Sequence, residues 1–204
     1  MSGQAKPRLG ILLSGRGSNF EAIARNVLAN NLNAEIAIVF SNKPAAPGLA
    51  LAKELGLPTA FLSSAGVDRV QYDLQVAAIL KNSGVDLLCL AGYMRLLSGG
   101  FVSQFAGRIL NIHPSLLPAF PGLDAQHQAL SHGAKITGCT VHFVDESLDN
   151  GPILLQAAVP ILDSDTVETL SLRILTEEHR IYSQAIAWVL EGNYRVDGRR
   201  VLKT

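Results

Sequence analysis

The chain reads as an α/β protein: a Rossmann-like, mostly parallel sheet, with an antiparallel hairpin in the C-terminal half and a long C-terminal helix. Three observations predict this. Short apolar runs recur at positions 8–13, 35–40, 59–62, 86–90 and 108–112. The intervals between them carry helical periodicity, a βαβ alternation that implies parallel strands joined by right-handed crossovers. After Thr137 the pattern changes to two β-like runs around an acidic turn with Asn150-Gly151-Pro152, the mark of an antiparallel hairpin with a longer loop.

Taken in order, the strand at 8–13 ends in a glycine-bearing loop, and a helix is expected over 19–29. The strand at 35–40 is followed by a helix over 47–55, and the strand at 59–62 by one over 68–82. The strand at 86–90 precedes a short helix at 99–105, and the run at 108–112 leads to a helix near 125–132. A long helix is expected over 167–191, and the final dozen residues read as a small exposed hairpin around Asp197-Gly198. With a single core, residues 1–204 are expected to form one domain.

Composition excludes several function classes. The chain has 17 basic and 17 acidic residues and no formal net charge, so no polyanion-binding face is expected and nucleic acid is not a predicted partner. Cys89 and Cys139 are far apart, each inside an apolar run, which fits two reduced core thiols better than a disulfide or zinc site and points to the cytosol. No apolar run approaches the roughly 20 residues of a membrane span, and the N-terminus lacks a signal-peptide core, so no membrane association is expected.

The chemistry concentrates in two places. Asn111 and His113 stand two apart at the end of the fifth apolar run, so on an extended chain they point to the same side, and Pro114 then ends the strand. A strand-end histidine bonded only for structure is the bland alternative. The second place is the acidic turn. Asp149 lies where the loop re-enters the strand, near a glycine that would let backbone approach a ligand, whereas Asp145 is equally well explained as a turn residue. His142 is expected to line or support the site, and His127, His132 and His179 to be surface or packing residues. A metal triad of His113, His142 and Asp149 has no recurrent ligand spacing, and no metal is predicted.

The first strand ends in Ser14-Gly15-Arg16-Gly17-Ser18-Asn19, directly before a helix. Glycines that turn amides toward a ligand, with a helix N-terminus behind them, form a phosphate cradle; a helix merely capped by Ser or Asn is the structural alternative. A dinucleotide site fits less well. Phe20 takes the third glycine's place, and the second strand ends in Ser41-Asn42-Lys43 without a ribose-binding acid. Arg95, at the end of the fourth strand, is either a ligand contact or a solvated loop charge.

Together, Gly15-Arg16-Gly17-Ser18-Asn19, Phe40-Ser41-Asn42-Lys43, the 90–98 segment Leu-Ala-Gly-Tyr-Met-Arg-Leu-Leu-Ser, the 111–118 block Asn-Ile-His-Pro-Ser-Leu-Leu-Pro, and Val141-His142-Phe143 through Pro152 resemble the phosphoribosylglycinamide formyltransferase family. These are folate-dependent GAR transformylases of purine synthesis. The resemblance runs from the first strand to the long helix. Its 111–118 block is shared with methionyl-tRNA formyltransferases and formyltetrahydrofolate hydrolases, which have extra domains that this length does not accommodate.

The resemblance implies formyl transfer from 10-formyltetrahydrofolate to the amine of glycinamide ribonucleotide (GAR), with the hydrolase or a phosphate-binding module as alternatives. It implies Asn111, His113 and Asp149 as the catalytic trio. Gly17, Ser18 and Asn19, with Leu175, Thr176, Glu177 and Glu178, would bind GAR. Arg69, Met94, Arg95, Leu96, Leu97, Asn111, Asp145, Glu146, Ser147, Leu148 and Asp149 would bind the folate. A monomer or homodimer in the cytoplasm is implied. Two departures stand out: Ala119 where a basic residue is frequent, and Asp124-Ala125-Gln126-His127 where some relatives are more basic. Arg16 could supply the missing charge.

Overall fold

A computed structural model describes residues 5–204. The stretch expected to lack a signal peptide starts at Met1, and its first four residues lie outside the described ones. The chain forms two compact units, one ending at Leu110 and one comprising Asn111–Thr204.

In the first unit the apolar runs form β1 (Arg8–Leu13), β2 (Glu35–Ser41), β3 (Thr59–Phe61) and β4 (Leu87–Leu90). Every pairing among them is parallel, in the order β3-β2-β1-β4. Leu9, Ile11, Leu12, Val39 and Phe40 are fully buried, which is why β1 and β2 are continuous apolar runs with no polar alternation. The chain runs outward from β1 through β2 to β3, then returns to place β4 on β1's other side. Such a reversal of strand order opens a crevice at the carboxyl ends of β1 and β4.

Helices α1 (Ser18–Leu28), α2 (Pro47–Glu54), α3 (Arg69–Asn82) and α4 (Gly99–Gln104) fill the intervals. Two expected boundaries shift because an aspartate bonds backbone. Asp68, expected inside α3, is its N-cap and accepts from the amides of Val70 and Gln71. Asp86, expected inside β4, precedes it and accepts from the Arg8 amide at 2.8 Å.

The second unit opens with the last three residues of β5 (Ile109–His113). It continues through α5 (Ala125–Ser131), β6 (Ile136–Phe143), β7 (Ile153–Pro160) and α6 (Val167–Glu191). β6 and β7 are antiparallel, from Ile136 opposite Pro160 to His142 opposite Ile153, with a register shift between Val141 and His142. The expected hairpin is therefore present. α6 packs on both strands; a capping box at Thr166 and Thr169 starts it, and Gly192 in the left-handed region ends it. β8 (Tyr194–Asp197) and β9 (Arg200–Lys203) form the terminal hairpin. It is more than the exposed appendage expected, because β9 also pairs in parallel with β7 through Ile153 and Arg200.

Candidate active site

β5 places Asn111 and His113 on one side, as the two-residue spacing requires, and Pro114 ends the strand at His113. The His113 ring is buried. Its Nε2 lies 2.9 Å from the Phe120 carbonyl and its Nδ1 lies 3.4 Å from Asp149 Oδ2. A carbonyl only accepts, so Nε2 carries a hydrogen; Nδ1 then faces a carboxylate. Both nitrogens facing acceptors is an arrangement that the imidazolium satisfies.

Asp149 is fixed from a second direction, since its Oδ2 accepts from the Gly122 amide at 2.8 Å. Its Oδ1 lies 3.8 Å from His142 Nε2. Asp149 and Phe120, the two residues that face the His113 ring, both hold positive φ, 48° and 54°. A bulky residue such as phenylalanine rarely adopts that region, and backbone strain of this kind gathers at functional sites.

His142 has the opposite character. Burial holds its imidazole below the ordinary range, outweighing the Phe143 carbonyl and the Asp149 charge, which act to raise it. Its Nδ1 lies 2.8 Å from the Phe143 carbonyl and so carries the hydrogen of the neutral ring, leaving Nε2 as an acceptor. Asn111 Nδ2 donates to that Nε2 at 3.2 Å. This fixes the amide's orientation and leaves its second N–H as a donor. An amide donor, an imidazole beside a carboxylate, and a neutral histidine that orients the amide thus come together.

In the turn between β6 and β7, a Cβ on Gly151, the glycine near Asp149, would stand 1.8 Å from the Phe143 carbonyl oxygen. Gly151 is required by the loop's own backbone. Asp145 is a turn residue in the structure, its Oδ1 accepting from the Ser147 amide at 2.8 Å, while Glu146, Ser147 and Leu148 are exposed. Leu148 lies beside Gly122, and Leu123, 77% exposed, follows that glycine.

On α6, Leu175, Thr176, Glu177 and Glu178 are consecutive and therefore spread around the helix. Thr176 is exposed and bonds the Leu172 carbonyl; Glu177 accepts from Arg180 at 2.6 Å. Glu178 is buried, only 7% exposed. Cys139 on β6 responds to it: burial first and then the Glu178 charge push its thiol up to about 12, leaving it an inert core group.

In the first unit, Gly17 is the N-cap of α1 at φ 75°, with no side-chain cap, so the Ser/Asn-capped alternative is not what forms. A Cβ on Gly17 would meet Gly48 Cα at 3.0 Å. Ser14, which sequence reasoning passed over, ties this loop to the segment after β4. Its hydroxyl donates to Asn42 Oδ1 at 2.6 Å and accepts from the Met94 amide at 2.9 Å. Arg69 is the exposed first residue of α3, Met94 and Leu96 are exposed, and Leu97 is half-buried. Arg95 is no solvated charge. Its guanidinium lies 4.4 Å from the Tyr72 ring centroid, and the segment is held at its far end by the buried Asp73 carboxylate, which accepts from the Ser98 amide at 2.6 Å.

Other contributors had no side-chain signal to find. The Phe120 carbonyl and Gly122 amide are backbone groups of the segment with the sequence departures. There Ala119 accepts from Ser115 Oγ through its carbonyl, and Asp124 is a left-handed N-cap of α5.

Comparison with known proteins gives the family. The formyl transferase family model matches residues 8–186. Phosphoribosylglycinamide formyltransferase of Escherichia coli (strain K12) is 41% identical over 199 residues, covering 94% of this chain and 94% of that protein. The trifunctional purine biosynthetic protein adenosine-3 of Homo sapiens is 45% identical over 192 residues; the match covers 94% of this chain but 19% of that longer protein. The crystal structure of glycinamide ribonucleotide transformylase 1 from Symbiobacterium toebii superposes with a TM-score of 0.96 at 48% identity, covering 100% of this chain and 99% of that one. From the side chains gathered at the end of β5 to the fold that presents them, the chain belongs to the formyl transferase family.

Proposed function

We propose that the protein transfers the formyl group of 10-formyltetrahydrofolate to the primary amine of glycinamide ribonucleotide, giving formyl-GAR for purine synthesis. The observation that carries the reading is the grouping of Asn111, His113, His142 and Asp149, with His113 Nδ1 at 3.4 Å from the carboxylate. The amine attacks the formyl carbon, a C–N bond forms, and the carbonyl oxygen becomes an oxyanion. The free N–H of Asn111 donates to that oxygen, and the His113 imidazolium stabilises its charge; removing a donor of this kind costs roughly 2.7 to 4 kcal/mol. Asp149 accepts the amine's proton, directly or through water. A proton then reaches the folate nitrogen as its bond to the formyl carbon breaks.

Gly17, Ser18 and Asn19 hold the ribonucleotide's phosphate, an assignment supported by a helix N-terminus without a side-chain cap. Glu178 holds the glycinamide end, supported by its burial on α6, with Leu175, Thr176 and Glu177 as its neighbours. For the folate, Arg95 pairs with a carboxylate of the glutamate tail together with Arg69. Met94, Leu96, Leu97 and the 145–149 turn pack the pterin-bearing end. The two free, buried cysteines fit a reducing compartment such as the cytosol.

The test is consumption of 10-formyltetrahydrofolate by the purified protein with and without GAR. Stoichiometric formyl-GAR formation that requires GAR supports the reading. Formate release at full rate without acceptor would instead identify a hydrolase.

A further inference from the structure

The terminal hairpin plays no part in the chemistry above, and it lies beyond residue 186, where the family match ends. Three contacts join it to the loop that carries Asp149. At the loop's entrance, the Phe143 ring at the end of β6 lies 5.7 Å from Tyr194 of β8, centroid to centroid. At its exit, Ile153, the first residue of β7, is the residue that pairs with Arg200 of β9. Between them, Arg199 Nη1 donates to Asn150 Oδ1 at 2.7 Å, and Asn150 directly follows Asp149. The hairpin is itself anchored to α6, because Trp188 Nε1 donates to the Asn193 carbonyl at 3.2 Å and the Trp188 ring meets Tyr194 edge-on.

We propose that the terminal hairpin is a brace for the catalytic loop and that Arg199 is a positioning residue acting through Asn150. The inference rests on the reading of Asp149 as the catalytic carboxylate. The physical case is that the loop offers little rigidity of its own. Glu146, Ser147, Leu148 and Asn150 are exposed, and Asp149 sits at φ 48°, where a residue other than glycine persists only if its surroundings hold it. The Gly122 amide holds the Asp149 side chain; Arg199 holds the neighbouring residue, and so restrains the peptide on Asp149's C-terminal side. Losing it lets the carboxylate sample positions away from His113. Misplacement of this kind lowers rate more than it lowers affinity for the acceptor.

Backbone ¹⁵N relaxation and steady-state kinetics, measured on the full chain and on Arg199→Ala, Arg199→Lys and Asn150→Ala, test the proposal. In Arg199→Ala the order parameters of residues 145–150 should fall from about 0.85 toward 0.6 or below, with an unchanged thermal midpoint. The kcat for GAR formylation should fall about threefold to tenfold, as befits one exposed bond from a charged donor, while the KM for GAR stays constant. Arg199→Lys, which can still donate to Asn150, should recover most of both effects. Asn150→Ala should match Arg199→Ala, and the double variant should be no worse than either alone. Unchanged order parameters in Arg199→Ala, or additive losses in the double variant, would overturn the brace. GAR-dependent turnover by the unsubstituted protein tests the underlying function separately, and the relaxation data decide the brace whichever way that falls.

Discussion

Asp149→Asn isolates the contribution of one negative charge. Asparagine is nearly isosteric and can still accept from the Gly122 amide, the 2.8 Å bond that fixes the side chain. It also tolerates the left-handed backbone that φ 48° demands, so the variant should fold with the loop in place. What is lost is the attraction between carboxylate and imidazolium. At the 3.4 Å separation of Asp149 Oδ2 and His113 Nδ1, Coulomb's law gives about 1 kcal/mol in water and about 5 kcal/mol at an effective dielectric constant of 20. The two side chains are only 6% and 10% exposed, which favours the upper half of that range. At 1.36 kcal/mol per decade, the expected fall in kcat is about 10² to 10⁴-fold, to which the loss of a proton acceptor for the amine adds. The assay is GAR-dependent turnover of 10-formyltetrahydrofolate at saturating substrates, alongside a binding measurement for GAR. Affinity should be unchanged, because the charge acts on a group that develops its role in the transition state. A loss below tenfold in a folded variant would refute the pairing of Asp149 with His113 as the source of catalysis.

Three further outcomes follow from other residues. Gly17→Val places a Cβ 3.0 Å from Gly48 Cα at φ 75°, so GAR affinity should drop by at least tenfold while folate affinity holds; equal losses for both ligands, by isothermal calorimetry, would mean misfolding instead. Glu178→Gln keeps the buried volume on α6 but removes the charge, so the KM for GAR should rise about tenfold or more while formylfolate binding persists; unchanged acceptor kinetics would return Glu178 to a packing role. His142 has its folded pKa depressed by burial below the ordinary 6.5, so as pH falls through 6.5 the unfolded chain takes up a proton before the folded one does. Stability should therefore decline below that pH, and His142→Gln should flatten the slope in denaturant titrations between pH 6.5 and 5. An unaltered slope would show that the ring is not held neutral.

Much of this fold and site was legible in the sequence, for identifiable reasons. In the first unit β1, β2 and β4 are buried on both faces, so their runs of Leu, Ile and Val stood out without alternation. The β6–β7 hairpin was marked by Asn150-Gly151-Pro152. Asn111 and His113 could be placed on one side because strand geometry leaves no freedom at a spacing of two. Boundaries failed where a side chain competes for backbone groups. Asp68 and Asp86 were read as members of their elements, yet each bonds an amide and stands just outside.

The less legible part is what holds the chemical groups in position. Asp149 was readable as a candidate carboxylate, but its distance from His113 depends on groups that carry no residue-specific signal: the Gly122 amide, the Phe120 carbonyl and the left-handed turns at Phe120 and Asp149. Gly151 carries a residue-level signal whose cause lies in the backbone, since a Cβ there would meet the Phe143 carbonyl oxygen. His142, by contrast, was readable as a supporting residue, and its burial and its bond to Phe143 make it a neutral acceptor that aims Asn111. In a site built this way, substituting the backbone's supports should change rate without changing which residues do the chemistry. The Ala119 departure falls within the segment that supplies those peptide groups, where its own carbonyl, not its side chain, accepts from Ser115 Oγ.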